Sequence, residues 1–208
     1  GLERGALHEI HDQIEVVRPV TKWAARAMHT GEIPELVNEA YHQMKNGRPR
    51  PTEVEVPWDT LAEVEDVELR EPARREPMEP STESLASAAD ILSKSARPLI
   101  WAGSGVASSC GSQELTELAE LLEAPVVTSS GGKGAISDRH PLSVGTAYYN
   151  SDPIHELVRD ADVVLAVGTR FRRKHRSAGY RLVNVNVDPA EFDDLPSDAV
   201  LVLADARV

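Results

Sequence analysis

The 208-residue chain contains a single cysteine, Cys110. It can form no internal disulfide, which fits a reducing cytoplasm. Positive charge is also scarce: Lys and Arg total 22 against 34 Asp and Glu, a formal net charge of −12. An acidic surface argues against a nucleic-acid partner, which needs a basic face. No run of 18 apolar residues exists to span a membrane as a helix. The N-terminus has no charged-then-apolar targeting pattern. The expectation is a cytoplasmic protein with no membrane or nucleic-acid partner. An initiator Met is absent as well. The chain opens Gly1-Leu2-Glu3-Arg4 and ends Leu203-Ala204-Asp205-Ala206-Arg207-Val208, like a strand entering a helix, so a fragment of a longer protein is expected.

Apolar residues make up 41% of the chain, enough for a core of about 100–150 residues. The organising stretch is Pro98 to Gly105. A short apolar run, Leu99-Ile100-Trp101-Ala102, ends abruptly in Gly103-Ser104-Gly105. A helical pattern follows from Ser112 to Glu123, with Leu115, Leu118, Ala119 and Leu122 on one face. Buried strand, glycine turn and amphipathic helix open a parallel α/β domain. Glycine in such a turn lets a phosphate or a flat ring approach the backbone. Cys110, near the helix start, is either a stabilised thiolate or a small loop residue.

The same grammar repeats downstream. Further strands are predicted over residues 124–128, 161–167, 182–187 and 199–203, apolar on both faces as a helix-covered parallel sheet requires. Ser129-Ser130-Gly131-Gly132 follows the second strand and is expected to face the same crevice as Gly103-Ser104-Gly105, because ligands in open α/β sheets bind at strand C-terminal ends. Asp152 is expected to cap a helix starting at Pro153. Ser81 should cap a helix whose core face carries Leu85, Ala88, Ala89, Ile91 and Leu92.

The first third is less complete. A short helix is predicted over Ala6 to His11. Thr21 to Met28 is apolar on both faces and reads as strand or helix. Pro34 starts a helix with Leu36, Val37, Ala40, Tyr41 and Met44 on one face and Gly47 beyond its end. Thr52 to Pro57 alternates as a strand. Residues 61–83 carry eight acidic residues against three arginines, with Pro72, Pro77 and Pro80, and read as an extended, solvated linker. The expected domains are 1–60, a linker over 61–82, and 83–208.

Several motifs resemble one family. Arg18-Pro19-Val20-Thr21-Lys22-Trp23, Glu39-Ala40-Tyr41, Asn46-Gly47-Arg48-Pro49 and Val54-Glu55-Val56-Pro57-Trp58-Asp59 resemble the end of the pyrimidine-binding domain of thiamine-diphosphate enzymes, the acetolactate synthase group above all. Trp101 to Val106, Ala124 to Thr128, Gly132 to Ile136, His140 to Gly145, Ala161 to Phe171 and Val187 to Glu191 resemble that family's central domain. Arg50 departs from the usual glycine. Leu7-His8-Glu9 replaces a common Phe-Gln-Glu, leaving His8 either in a substrate channel or as a surface histidine.

The resemblance implies thiamine diphosphate and magnesium in a full-length parent that cleaves or joins bonds next to the carbonyl of a 2-keto acid, as a transferase or lyase. It implies a Rossmann-like central domain of five to six strands and a homodimeric or homotetrameric parent. The family's activating glutamate and Gly-Asp-Gly metal motif do not occur here, so no catalytic or metal residue is assigned and the chain alone is expected to be inactive. Central domains in this family hold FAD, ADP or nothing. Their ligand-contacting loops map onto Gly103, Ser104, Gly105, Ser129, Ser130, Gly145, Gly168, Arg170, Asp188 and Asp205. Arg172 and Arg173 replace acidic residues of the group, and the basic run Arg172 to Arg176 either meets a phosphate or an acidic neighbour or is a solvated loop. The alternative reading is a stand-alone nucleotide-binding α/β module without thiamine chemistry.

Overall fold

The structure, a computed structural model, describes residues 9–72, 74, 76–147, 152–171 and 179–208. The chain divides into two compact units, Gly1–Glu76 and Pro77–Val208. His8 and Arg172 to Arg176 lie outside the described residues.

In the first unit, β1 (Trp23–Arg26) pairs in parallel with β2 (Thr52–Glu55), with Trp23 opposite Thr52 and Arg26 opposite Glu55. The stretch that read as strand or helix is therefore strand. The Ala6–His11 helix is not found where it was expected: residues 6–8 lie outside the described ones and residues 9–11 are not helical. Helix α1 (Gln13–Val17) forms instead, because Asp12 accepts a hydrogen bond from Glu15 N–H and caps it there. Helix α2 (Ile33–Lys45) begins beside Pro34 and ends as predicted, with Gly47 at φ +60 just past the Asn46 cap. Thr52 Oγ1 donates to the Ala40 carbonyl, so Thr52 and Val54 face α2. Glu53 and Glu55 therefore face the other side.

Residues 63–72 form no helix or strand. They lie against helix α2 of this unit. Val67, Leu69 and Pro72 line a groove with Ile33, Val37 and Tyr41 of α2, and Arg70 Nε lies 2.9 Å from Glu35.

The second unit opens with α3 (Thr82–Ser93), whose Ser81 cap accepts from Ser84 N–H. Then come β3 (Pro98–Ala102), α4 (Ser104–Ser108), α5 (Ser112–Leu122), β4 (Val126–Thr128), β5 (Ser143–Thr146), α6 (Asp152–Asp160), β6 (Val163–Val167), β7 (Arg181–Asn186) and β8 (Val200–Leu203). Six parallel strands lie in the order β5-β4-β3-β6-β7-β8. The fold is an α/β parallel sheet of Rossmann type, as expected. Strand β5, Ser-Val-Gly-Thr, was not read as a strand. It is short, sits at the sheet edge and is half-exposed, and its pairing to β4 shifts register at Val126/Val127.

Strand alternation sends side chains to both faces, and each face has its own core. On one, Ile100, Ala102, Val126, Leu165 and Val183 pack with Ala88, Ile91, Leu115 and Ala119 of α3 and α5. On the other, Leu99, Trp101, Val127, Val164 and Leu182 pack with Ile154 and Val158 of α6 and with Phe171. Trp101 and Phe171 meet edge to face at 5.3 Å between ring centroids. At the entry to β3 and β6, Asp162 ties the chain together: Ser95 Oγ and the N–H groups of Ala96 and Arg97 all donate to its carboxylate.

Candidate functional site

The chain runs outward from β3 through β4 to β5, then returns across the sheet to β6 on the other side of β3. That reversal makes a switch point between β3 and β6, where open α/β sheets place ligands beyond the strand C-terminal ends. Three sequence-predicted segments meet there: Gly103-Ser104-Gly105 after β3, Ser129 to Gly132 after β4, and Gly168 to Arg170 after β6. A Cβ added to Gly105 would stand 2.5 Å from the Gly168 Cα, and one added to Gly168 would stand 2.6 Å from the Gly105 Cα. A Cβ on Gly131 would stand 3.3 Å from that of Ser104. Gly132 is buried against the Ala102 carbonyl.

Five amides of these loops are engaged. Gly103 N–H donates to Val167 O (2.8 Å), Gly105 N–H to Gly168 O (3.0 Å) and Gly168 N–H to Val185 O (2.8 Å). Ser129 N–H donates to Ala102 O (2.8 Å) and Gly132 N–H to Ser129 O (2.9 Å). The helix that follows the turn is short. Gly103 is the N-cap of α4, which spans five residues and ends before Cys110, whose φ is +59. The predicted glycine turn thus leads into one helical turn, and the longer α5 begins only at Ser112. Ser104, Ser130 and Arg170 are exposed, and Ser129 is half-buried.

The remaining predicted positions are not at the switch point. Gly145 (φ +106) lies in β5, two strands from β3, with its carbonyl near Thr128 Oγ1 at 3.4 Å. Two strand spacings put it about 10 Å to one side. Asp188 follows β7, where it caps the turn Pro189–Phe192 by accepting from Ala190 N–H. Asp205 follows β8 and is buried. Its Oδ2 accepts from Met78 N–H at 2.9 Å, and its own N–H donates to Met78 O at 2.9 Å. It anchors the incoming chain at the sheet edge.

Sequence reasoning missed Asn184 and Asn186. Asn186 Nδ2 donates to Thr169 O (3.1 Å), and its Oδ1 accepts from Asp188 N–H (3.1 Å), which steadies the loop after β6. Asn184 is fully buried, and among the described residues its Oδ1 has no hydrogen-bond partner. Two asparagines at alternate positions of a valine-rich strand were the available signal. Glu53 was also missed. Its Oε2 and that of Glu55 are buried without a partner among the described residues, while Arg26 holds Glu55 Oε1 at 3.0 Å. Burial, and then the charge of Glu55, push the Glu53 carboxyl above the usual carboxylate range, with Arg26 opposing. At the foot of β6, burial pushes the Asp162 carboxyl up, but the donors from Ser95, Ala96 and Arg97 outweigh it and hold it below its ordinary value.

Among the described residues, no three His, Cys, Asp or Glu side chains stand together to hold a metal ion, and no helix is long and apolar enough to cross a membrane. The chain contains no Gly-Asp-Gly.

A family described as "Thiamine pyrophosphate enzyme, central domain" matches residues 85–208. A protein named a probable 2-ketoarginine decarboxylase from Pseudomonas aeruginosa is 35% identical over 98% of this chain and 37% of its own length. A probable acetolactate synthase large subunit of Methanococcus aeolicus is 29% identical over 98% of this chain and 36% of its own. The glyoxylate carboligase of Escherichia coli O157:H7 is 28% identical over 92% of this chain and 34% of its own. An X-ray structure from Mycobacterium smegmatis, of a protein assigned to the thiamin diphosphate-dependent enzymes, superposes with a TM-score of 0.76 at 22% identity, covering 95% of this chain and 39% of that one. This last likeness concerns the fold. The chain spans a little over a third of the length of these relatives.

Proposed function

Because the chain belongs to the thiamine pyrophosphate enzyme family, we propose that it is a segment of a thiamine-diphosphate- and magnesium-dependent enzyme that cleaves or joins the bond next to the carbonyl of a 2-keto acid. The observation that carries this reading is the family match over residues 85–208, joined to relatives named for 2-ketoarginine, glyoxylate and acetolactate. The decarboxylase shares 35% of its aligned residues with this chain, against 28% and 29% for the other two.

In such an enzyme the cofactor supplies the electron sink and the protein supplies binding and orientation. The donor set for a metal-bound diphosphate does not fit the residues here: the chain has no Gly-Asp-Gly, and among the described residues no clustered set of oxygen ligands occurs. Those groups belong to other parts of a longer parent, in this proposal a homodimer or homotetramer. Residues 77–208 contribute a rigid parallel sheet with a core on each face.

The test compares the parent with the 208-residue chain, each given pyruvate, glyoxylate or 2-ketoarginine with thiamine diphosphate and magnesium, and follows carbon dioxide release. The parent should release it only when both cofactors are present. The chain alone should not exceed a buffer blank. Turnover by the chain alone would overturn the assignment of the chemistry to residues outside it. A parent silent on all three acids would overturn the 2-keto acid reading.

A further inference from the structure

We propose that the switch-point crevice of residues 77–208 is sealed by its own backbone: Gly103-Ser104-Gly105 is a packing junction between the ends of β3, β4 and β6, and it does not receive the pyrophosphate of FAD or ADP. The residues at this site do not fit such a group, on three separate grounds.

The first is space. In a dinucleotide-binding turn of the form Gly-x-Gly, the second glycine lets the phosphates come close to the backbone. Here the volume in front of Gly105 belongs to Gly168, 2.5 Å from where a Cβ would be. The second is donors. A phosphate at such a turn is held by backbone N–H groups. Those of Gly103, Gly105, Gly168, Ser129 and Gly132 already donate to protein carbonyls at 2.8 to 3.0 Å. These five bonds hold the strand ends together, so none of these amides is left to meet a phosphate. The third is the helix. The dipole that draws an anion to a turn comes from aligned peptides in the helix behind it. α4 has five residues, and the chain turns away at Cys110.

The polar side chains left on the rim, Ser104, Ser130 and Arg170, are exposed. Contacts of exposed charges to a phosphate are screened by water and add little.

The experiment titrates ADP and FAD separately into the 208-residue chain. It follows heat of binding and the melting temperature of the wild type and of Ser104→Leu, a change at an exposed side chain that overhangs the crevice. No saturable heat and no change in melting temperature are expected. A bound nucleotide at a hundred times its Kd would instead raise the melting temperature by roughly 8 °C. Binding that Ser104→Leu abolishes would overturn the proposal. Binding that Ser104→Leu leaves intact would place the ligand elsewhere and uphold it. Gly105→Ala is a second arm without ligand. A packing junction predicts a fall of roughly 10 °C in melting temperature, or failure to fold, because the methyl meets backbone that cannot swing aside. An unchanged melting temperature would overturn it.

Discussion

Glu53 carries a structural cost that can be read by titration. Its carboxyl is raised by burial and by Glu55, so the folded chain holds that proton to higher pH than the unfolded chain does. The stability linked to it is fully present below the ordinary glutamate value of 4.5 and is lost as pH rises through the raised folded value. Glu53→Gln should remove that loss. Denaturation followed across pH should show the variant gaining on the wild type as pH rises from about 4 to 7. A constant difference would contradict the burial argument. Asp162 has the opposite sign. Its carboxyl is lowered by donors from Ser95, Ala96 and Arg97, so its contribution is present above the ordinary value of 3.8 and is lost as pH falls through the lowered folded value. Asp162→Ala should cost about 2–3 kcal/mol at pH 7, because three donors lose a charged acceptor. Urea titration at pH 7 and again near pH 3 should show the difference shrinking in acid. Neither residue stood out in the sequence. A carboxylate on an alternating strand, or before an apolar run, looks the same whether it faces water or a cluster of amides. The glycines show the same ambiguity. The string Gly103-Ser104-Gly105 announces that something approaches the backbone closely, and it does not say whether that is a phosphate or Gly168.

Elements were more legible than residues. The helix over residues 112–122 was readable because Leu115 and Ala119 recur on one face, and both are buried. Leu121 lies off that face and is 80% exposed. Leu115→Ala should therefore cost about 2–5 kcal/mol and Leu121→Ala under about 0.5 kcal/mol. Denaturant midpoints of the two variants would separate them, and equal costs would show that the apolar stripe does not set the packing. Strands β3, β6 and β7 were legible for a related reason: a strand covered on both faces is a continuous apolar run bounded by turn residues. β5 had no such run. A four-residue edge strand containing Gly145 carries little local preference of its own, and its pairing with β4 creates it. α1 was misplaced because a five-residue helix with no buried residue has no core face to show, and the Asp12 cap decides where it starts.

At the scale of the whole molecule, residues 63–80 contain no helix or strand among those described, and Glu71, Glu76 and Glu79 are exposed. Limited digestion with a broad-specificity protease should cut first in this stretch and release a fragment that begins near Pro77. Val67 to Pro72 lies against α2, and Met78 is held by Asp205, so the cuts should concentrate between those anchors. First cuts inside residues 98–188 would contradict a compact second unit. The amino-acid sequence by itself determined the class of fold, the family and most strands and helices, because each is written in a local pattern: two-sided apolar runs, a 3.6-residue stripe, caps, and motifs in fixed order. It also determined that residues 61–83 are acidic and interrupted by proline. Tertiary structure alone decided how closely the strand ends meet at the switch point and where the chain over residues 67–72 is anchored. It also decided that Asp205 holds Met78 and that the amides of Gly103, Gly105 and Gly168 are engaged by neighbouring carbonyls. Those outcomes depend on contacts between residues up to 127 positions apart, and a glycine or a carboxylate carries no local mark of the partner that the folded chain brings to it.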